Sequence, residues 1–452
     1  MNNWAANVTF QYAALERPAS VEEVQAIVRR AASDGTRCRV VGSRHSFNTV
    51  ADVGADGTWI SLERMRALVS IDDEGRALVQ GGATYGEICP QLHARGWALH
   101  NMASLPHVTI AGAVATATHG SGRANGNLAT SVVEVHIVAA SGETVVLGRG
   151  HRDWDGAVAS LGCLGVVVAL VLQCEPAYAL AQRVWDRFPL SVVAASQRAL
   201  ADTMGLAHSV SIFTRWEGGT NADSMLWVKQ RVAADCGGDS APRLPAAVAR
   251  AGCVAATVKR HPIIALDAAP CTEQFGAPGP WHERLPHFNH DDAPSVGDEL
   301  QSEFFVAFSD GAAAIRAVSA LRATLAPVLA VTELRSVAAD TQWLSPARGR
   351  ASLALHFTWR GGMFHRVWAA CRAVERALAP FQYRPHLGKV FTATSANVGR
   401  EAAARFAALQ RSLGGDVFRN AFSEAYLFQS SSGGDHARRA LHGAPKDAPS
   451  KL

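Results

Sequence analysis

The sequence predicts an α+β chain of two domains, and three observations carry that reading. Its 452 residues exceed what one ordinary core holds. Residues 20–96 alternate between helix and strand patterns, the rhythm of an α/β unit. From about residue 190 the texture changes. Strand-like pieces are then separated by long polar stretches, and four later segments carry polar residues two apart in otherwise apolar strands.

Composition narrows the function classes. Apolar residues make up 48% of the chain and charged ones 18%, with a net charge of +4, which describes a compact globule. No basic run is dense enough for nucleic acid, and aromatics do not interleave with Lys/Arg stripes. The first residues, MNNWAANVTFQY, lack a signal-peptide pattern. The most apolar run, 164–172, is too short to cross a membrane and reads as a buried, Val-rich strand. Eight scattered cysteines form no C-x-x-C pair. That predicts buried thiols such as Cys163 and Cys174 in a reducing compartment, with neither zinc nor disulfides. The chain ends Ser450-Lys451-Leu452, which in a eukaryotic protein is the address of the peroxisome or a related organelle and otherwise leaves a cytoplasmic location as the expectation. The Ser/Gly/Pro-rich stretch before it is expected to be a flexible tail open to an import receptor.

Along the chain, residues 20–34 predict a helix. Ser20 is placed as N-cap, Glu23 follows three residues later, and apolar positions recur at helical spacing. A strand over 37–42 runs into Gly42-Ser43-Arg44-His45. Small residues here let backbone N–H groups approach a phosphate, and an imidazole stands beside them. A phosphate cradle with a nucleophilic ring at its edge suits a covalently bonded dinucleotide; the loop alone is also compatible with a plain turn. A second strand (77–80), a Gly81-Gly82 turn and a helix (85–94) follow. Residues 104–122 are so dense in small and hydroxyl side chains that they predict backbone wrapped around a polar ligand, not a regular core helix. Residues 131–148 predict a hairpin turning at Ser141-Gly142.

In the second region, strands are expected at 209–213 and 225–228, and helices at 311–326 and 363–379. Four segments, 300–303, 331–335, 355–358 and 388–390, hold the polar positions. Period two puts Glu333 and Arg335 on one sheet face, and His356 and Thr358 likewise. If these strands are neighbours, they build a polar floor suited to a polyhydroxylated substrate; the alternative is a solvated sheet face. Other sites are not supported. The residues around His282 and His287–His290 resemble a metal cluster by composition alone, so no metal is expected. Residues 120–126 lack the spacing of a dinucleotide fingerprint, and neither a P-loop nor a G-x-S-x-G elbow occurs.

Five blocks then carry a resemblance: MASLPH (102–107), THGSG (118–122), CTEQFGAPGPWHERLPHF (271–288), LQSE (300–303) and RPHLGKVFT (384–392). With residues 40–48, they resemble the vanillyl-alcohol-oxidase-type flavoproteins over nearly the whole chain. Within that group they are most similar to the alditol (xylitol/sorbitol) oxidases, cousins of the sugar-1,4-lactone oxidases. The resemblance implies a PCMH-type FAD-binding domain over 1–189 and a mixed-sheet substrate (cap) domain over 190–399. It also implies a return to the FAD domain over 400–430, before the tail at 431–452. FAD would be bound by Val41, Gly42, Ser43, Arg44, Ser46, Ser104, Thr109, Gly112, Thr116, Thr118, His119, Gly162, Gly165 and Val167, and tethered covalently by His45. Arg44 departs from the pattern, since glycine is frequent at that position.

The same resemblance implies substrate contacts from Ser104, Gln301, Glu333, Arg335, Thr358 and Lys389. The expected reaction is oxidation of a terminal CH–OH by hydride transfer to flavin N5, with O2 reduced to H2O2 and an aldose formed. Arg335 and Lys389 would stabilise the alkoxide. His356 is the general-base candidate by residue type, and Glu333 would orient Arg335 or bind hydroxyls. A monomer acting on a small polyol, with no membrane partner, is expected. Rival expectations are a sugar-lactone oxidase, a dehydrogenase passing electrons to another acceptor, and a flavin-binding protein without catalysis.

Overall fold

The computed structural model describes residues 1–217, 224–233, 242–292, 299–395, 397–428 and 440–443. The first domain opens with β1 (Ala14–Glu16), α1 (Val21–Ser33), β2 (Cys38–Val41) and β3 (Thr58–Ser61). These strands form a parallel sheet in the order β1-β3-β2. Helix α1 starts where its pattern predicts. The Ser20 hydroxyl accepts from the Glu23 amide at 3.2 Å, and the Glu23 carboxylate accepts from the Ala19 amide at 2.7 Å. Its buried stripe is Val24, Ile27, Val28 and Ala31.

Next come β4 (Leu68–Ile71), β5 (Arg76–Gln80), α2 (Tyr85–Ala94), α3 (Ile110–Ala115), β6 (Val132–Val138), β7 (Thr144–Gly148) and β8 (Val166–Gln173). The helix–strand alternation does not produce one parallel sheet. Strands pair in the order β4-β5-β8-β6-β7, all antiparallel, so parallel pairing is confined to the first three strands. In β8 alternate residues, Val166, Val168, Leu170 and Leu172, are fully buried. The small-residue stretch 104–122 does contain one short helix, α3, between irregular segments.

The second domain is built on one antiparallel sheet. Its main strands are β9 (Ala179–Asp186), β10 (Ser209–Thr214), β11 (Ser224–Val232), β12 (Glu299–Ala307), β13 (Leu329–Val337), β14 (Ser352–Arg360) and β15 (Arg384–Pro385). They lie in the order β9-β11-β10-β13-β14-β12-β15. Helix α4 (Gly311–Ser319) and helix α5 (Phe364–Leu378) pack against β12. The helix expected over 311–326 therefore stops early, and a separate turn at Arg322–Leu325 follows.

Helix α6 (Arg400–Leu413) leads back to the first domain. There the Ala140 amide donates to Leu413 O at 2.7 Å and the Cys38 amide to Val417 O at 2.8 Å. Residues 440–443 fall within the stretch expected to be a flexible tail, yet they pack on the body. The Thr49 amide donates to Leu441 O at 2.8 Å, and His442 Nε2 lies 3.0 Å from the Tyr426 hydroxyl. Ser450-Lys451-Leu452 lies outside the described residues.

One buried cation ties these pieces together. Arg39, on β2, is 2% exposed. Its guanidinium donates to Gly162 O (3.0 Å), Phe418 O (3.1 Å), Leu161 O (2.8 Å) and Val50 O. Those carbonyls belong to three separate chain segments. Replacing Arg39 by Met roughly keeps the volume but takes this donor from Leu161, Gly162 and Phe418, while Val50 O keeps Asn420 Nδ2 at 3.0 Å. The expected loss of stability is about 3 kcal/mol or more, read from denaturant unfolding. A second prediction concerns acid. His208 is half-buried and His287, His386 and His442 are buried, and this burial pushes the four imidazoles down to about 4, 4, 3 and 3. Unfolded histidine titrates near 6.5. Below that pH the unfolded chain binds protons that the folded one refuses, so stability falls as pH drops from about 6.5 towards 4. The melting temperature at pH 5 should lie below that at pH 7.5 by on the order of 5 °C.

Candidate active site

Strand β2 ends at Val41, and the loop that follows forms one wall of a cavity of about 560 Å³. Gly42 is required here by close approach. A Cβ on it would lie 2.4 Å from Thr109 Oγ1, and one on Gly112 would lie 2.7 Å from the same atom. The Ser43 hydroxyl donates to His107 O and accepts from the Thr109 amide, both at 2.9 Å, which joins this loop to residues 104–109. Arg44 has φ +62°, in the left-handed region. That conformation accounts for glycine being frequent in the family at this position. The Arg44 carbonyl accepts from the Trp4 amide at 2.9 Å, and its guanidinium donates to Asn2 O at 3.3 Å, so the side chain engages the N-terminal segment.

His45 is half-buried, with its ring 5.0 Å from Trp4. Burial, then His107 and Arg44, pushes its imidazole down to about 4. Ser46 is anchored through its carbonyl, which accepts from Asn3 Nδ2 at 2.8 Å. Opposite lie the hydroxyls of Thr116 and Thr118, 3.1 Å apart. His119 Nδ1 is 2.8 Å from Gly120 O. Gly162, Gly165 and Val167 border the same cavity, as does Ser104, whose carbonyl accepts from the His287 amide at 3.1 Å. A glycine-lined cleft with hydroxyls on both sides and β2 aimed into it has the shape and donors that a dinucleotide diphosphate needs.

The other wall is the sheet face of the second domain. Its register sets Gln301 opposite Thr358, Glu303 opposite His356, and His356 opposite Glu333. Side chains two apart share a face, so Gln301, Glu303, Glu333, Arg335, His356 and Thr358 all border the cavity. Lys389 joins them from the loop after β15. The amides of His386 and Val390 donate to Glu303 O (2.9 Å) and Gln301 O (2.8 Å), fixing that loop on β12.

Glu303 is the centre of this face. It is 1% exposed. Its carboxylate takes Arg335 Nη2 at 2.7 Å and Lys389 Nζ at 2.8 Å, and His119 Nε2 lies 3.1 Å away. Burial opposes its ionisation, but Lys389, Arg335 and His119 outweigh that and hold the carboxyl well below its usual range. Glu333 is likewise held low against burial by Arg335 and His287. Two carboxylates thus face two cations, and the charges balance. His356 sits among them, 3.2 Å from Arg335 Nη2 and 3.5 Å from Lys389 Nζ. Burial and then Lys389 hold it well below the usual histidine range, so its ring is neutral.

Three participants escaped the residue-by-residue reading. Glu303 carried a signal: it stands two residues after Gln301 in a segment already marked as polar at period two. His287 lay in the loop whose histidines imitate a metal cluster. Here its Nε2 is 3.0 Å from Glu333 Oε1. Lys229 carried none, being one cation at the end of an apolar strand. Its ammonium donates to Pro286 O at 3.1 Å and lies 3.3 Å from His287 Nδ1. Burial pushes the Lys229 amine down to about 7. Glu333 stays ionised and can only accept, so Nε2 of the neutral ring carries the proton given to it and Nδ1 accepts from Lys229.

Residues 12–148 match the family described as FAD binding domain, and residues 299–426 match D-arabinono-1,4-lactone oxidase. Alditol oxidase of a Streptomyces species is 43% identical over 397 residues, covering 88% of this chain and 90% of that protein. L-gulono-1,4-lactone dehydrogenase of Mycobacterium tuberculosis is 36% identical over 180 residues, 40% of this chain and 41% of its own. L-gulonolactone oxidase of Bos taurus is 32% identical over 181 residues, 39% of this chain and 41% of its own. The lactone enzymes thus share a part of the chain and the alditol oxidase nearly all of it. A cradle fitted to a dinucleotide, a charge-balanced polar floor across from it, and identity sustained through both domains place this chain in the alditol oxidase family of FAD-binding oxidoreductases.

Proposed function

We propose that this protein oxidises the terminal CH–OH of an acyclic polyol, with FAD as cofactor and O2 as electron acceptor, to give an aldose and H2O2. The observation that carries this reading is the pair of cations, Arg335 and Lys389, held by one buried carboxylate on a floor that faces the FAD cleft. When bound, the flavin accepts the hydride from C1 and passes the electrons to O2.

The chain's own residues position the substrate and manage its charge. Arg335 and Lys389 face the C1 oxygen and stabilise it as its proton leaves, in a site where water does not screen them. His356 takes that proton on its unprotonated nitrogen. Held between two cations it is a weak base, so proton removal accompanies hydride departure and does not precede it. Glu333, Gln301, Thr358 and Ser104 bind the remaining hydroxyls and fix C1 against the cofactor. Gly42, Ser43, Ser46, Thr109, Gly112, Thr116 and Thr118 hold the diphosphate side. His45 would be the residue that tethers FAD, since its neutral ring keeps a lone-pair nitrogen that a protonated ring lacks.

The partial match to lactone oxidases favours a second reading, oxidation of a sugar 1,4-lactone. Anaerobic mixing with xylitol, sorbitol, glycerol and a sugar 1,4-lactone separates the two. Polyols should bleach the flavin absorbance and the lactone should not, and Lys389→Met should slow bleaching by about 10²–10³-fold. Stoichiometric H2O2 on readmission of air checks the acceptor. Acid-precipitated native protein should keep its yellow colour, and His45→Ala should release the flavin into the supernatant.

A further inference from the structure

Opposite Thr358, the floor passes from polar to apolar, and one polar side chain stands in the apolar part. On β13 the residue facing Thr358 is Val331, two positions from Glu333 and four from Arg335. Val331 packs with Phe213, and Ile263 and Phe288 close over them from the loop that precedes β12. These four side chains border the cavity, and so does His261. His261 is 6% exposed, with its ring 5.4 Å from Phe288.

The protonation of this ring follows from its contacts. The Ile263 amide, an obligatory donor, reaches His261 Nδ1 at 2.9 Å. Burial lowers the imidazole's pKa and keeps the ring neutral. With Nδ1 accepting, the proton must sit on Nε2. Among the described residues no side chain or carbonyl is paired with Nε2, and it is not sealed within the protein; the residue borders the cavity.

We infer that His261 forms a distal hydroxyl-binding subsite, in which Nε2–H donates to a hydroxyl of a five- or six-carbon polyol. Two strand residues span about 6.6–6.8 Å, and the Arg335 guanidinium reaches back to 3.6 Å from Glu333 Oε2, so the Val331 end lies roughly one such step beyond the anchored hydroxyl. This inference rests on the proposed function, with C1 held at Arg335 and Lys389. A glycerol molecule anchored there ends near Glu333 and Thr358. A pentitol or hexitol carries hydroxyls on into the apolar wall, where His261 offers a donor that spares them an unpaired burial. The subsite therefore selects longer acyclic polyols over shorter ones.

The test compares KM and limiting flavin-reduction rate for glycerol, xylitol and sorbitol in native holoenzyme, His261→Leu and His261→Gln. In His261→Leu the KM ratio of sorbitol to glycerol should rise about 3–10-fold, the size of one neutral hydrogen bond, with the effect falling on KM more than on the limiting rate. His261→Gln retains an amide N–H and should recover part of that ratio. The visible flavin spectrum and melting temperature establish that each variant is folded and loaded; if Leu disrupts the turn at Ile263, the Gln variant's ratio still decides. A ratio unchanged in the folded variants, or KM values that rise equally for all three polyols, overturns the subsite. If no polyol reduces the native flavin, it is the proposed function that fails, a result distinct from loss of the subsite.

Discussion

A single carboxylate, Glu303, is the constraint on which the site depends. Burying a lone anion costs several kcal/mol, and so does burying Arg335 or Lys389. None of the three could occupy this face alone. Together they form a unit in which Glu303 contacts both cations at 2.7–2.8 Å and Glu333, 3.6 Å from Arg335 Nε, supplies the second negative charge. The unit joins β12, β13 and the loop after β15, and through His119 it touches the loop that wraps the cofactor. Cations poised for a developing alkoxide are thereby held in place before any substrate arrives. Such preorganisation is what makes electrostatic stabilisation effective, since nothing has to reorient during the reaction.

Arg39 plays the corresponding structural part on the cofactor side, by the opposite chemistry. It is matched by carbonyl dipoles, from the turn at 49–51, the loop at 161–162 and the returning segment at Phe418. The loop 42–46 begins two residues after Val40, so the position of His45 is set within a few residues of this clasp. Arg44 completes the setting. Its left-handed backbone costs a non-glycine residue roughly 1–2 kcal/mol, and the bonds to Trp4 and Asn2 offset part of that. The same turn presents the His45 ring to the cavity and seats it against Trp4.

Much of this was legible because it is local. Ser20 and Glu23 define a helix start by their own hydrogen bonds, and Ser141-Gly142 marks a hairpin that forms as read. The polar floor was legible because period two is a property of the strand itself. Strand order was not: nothing in residues 66–173 states that β8 lies between β5 and β6, since that depends on contacts about a hundred residues apart. Glu303, His287 and Lys229 were hidden for a related reason. Their meaning lies in what they face: Glu303 meets Arg335 and Lys389, and Lys229 stands behind the His287 that reaches Glu333. The left-handed φ of Arg44 was hidden too, because the residue type argues against it.

The balance of donors and acceptors on the floor bears on which substrate it fits. Ionised Glu333 takes the His287 Nε2 proton at Oε1, which leaves Glu333 Oε2, with Arg335 Nε at 3.6 Å and His356 Nδ1 at 3.8 Å, as an acceptor loosely engaged by the protein. Arg335 and Lys389 are donors, and so is His261 Nε2–H further along. Ionised carboxylates accept and never donate. A ligand here must give a proton at Glu333 and accept at the cations and at His261. Every hydroxyl of an acyclic polyol does both, and rotation about each C–C bond lets successive hydroxyls choose. A sugar 1,4-lactone also carries hydroxyls, but its carbonyl and ring oxygens accept only, and its ring removes the C–C rotations that let a polyol's hydroxyls choose. The demand for a hydroxyl donor thus comes from Glu333 itself, held ionised by Arg335 and His287.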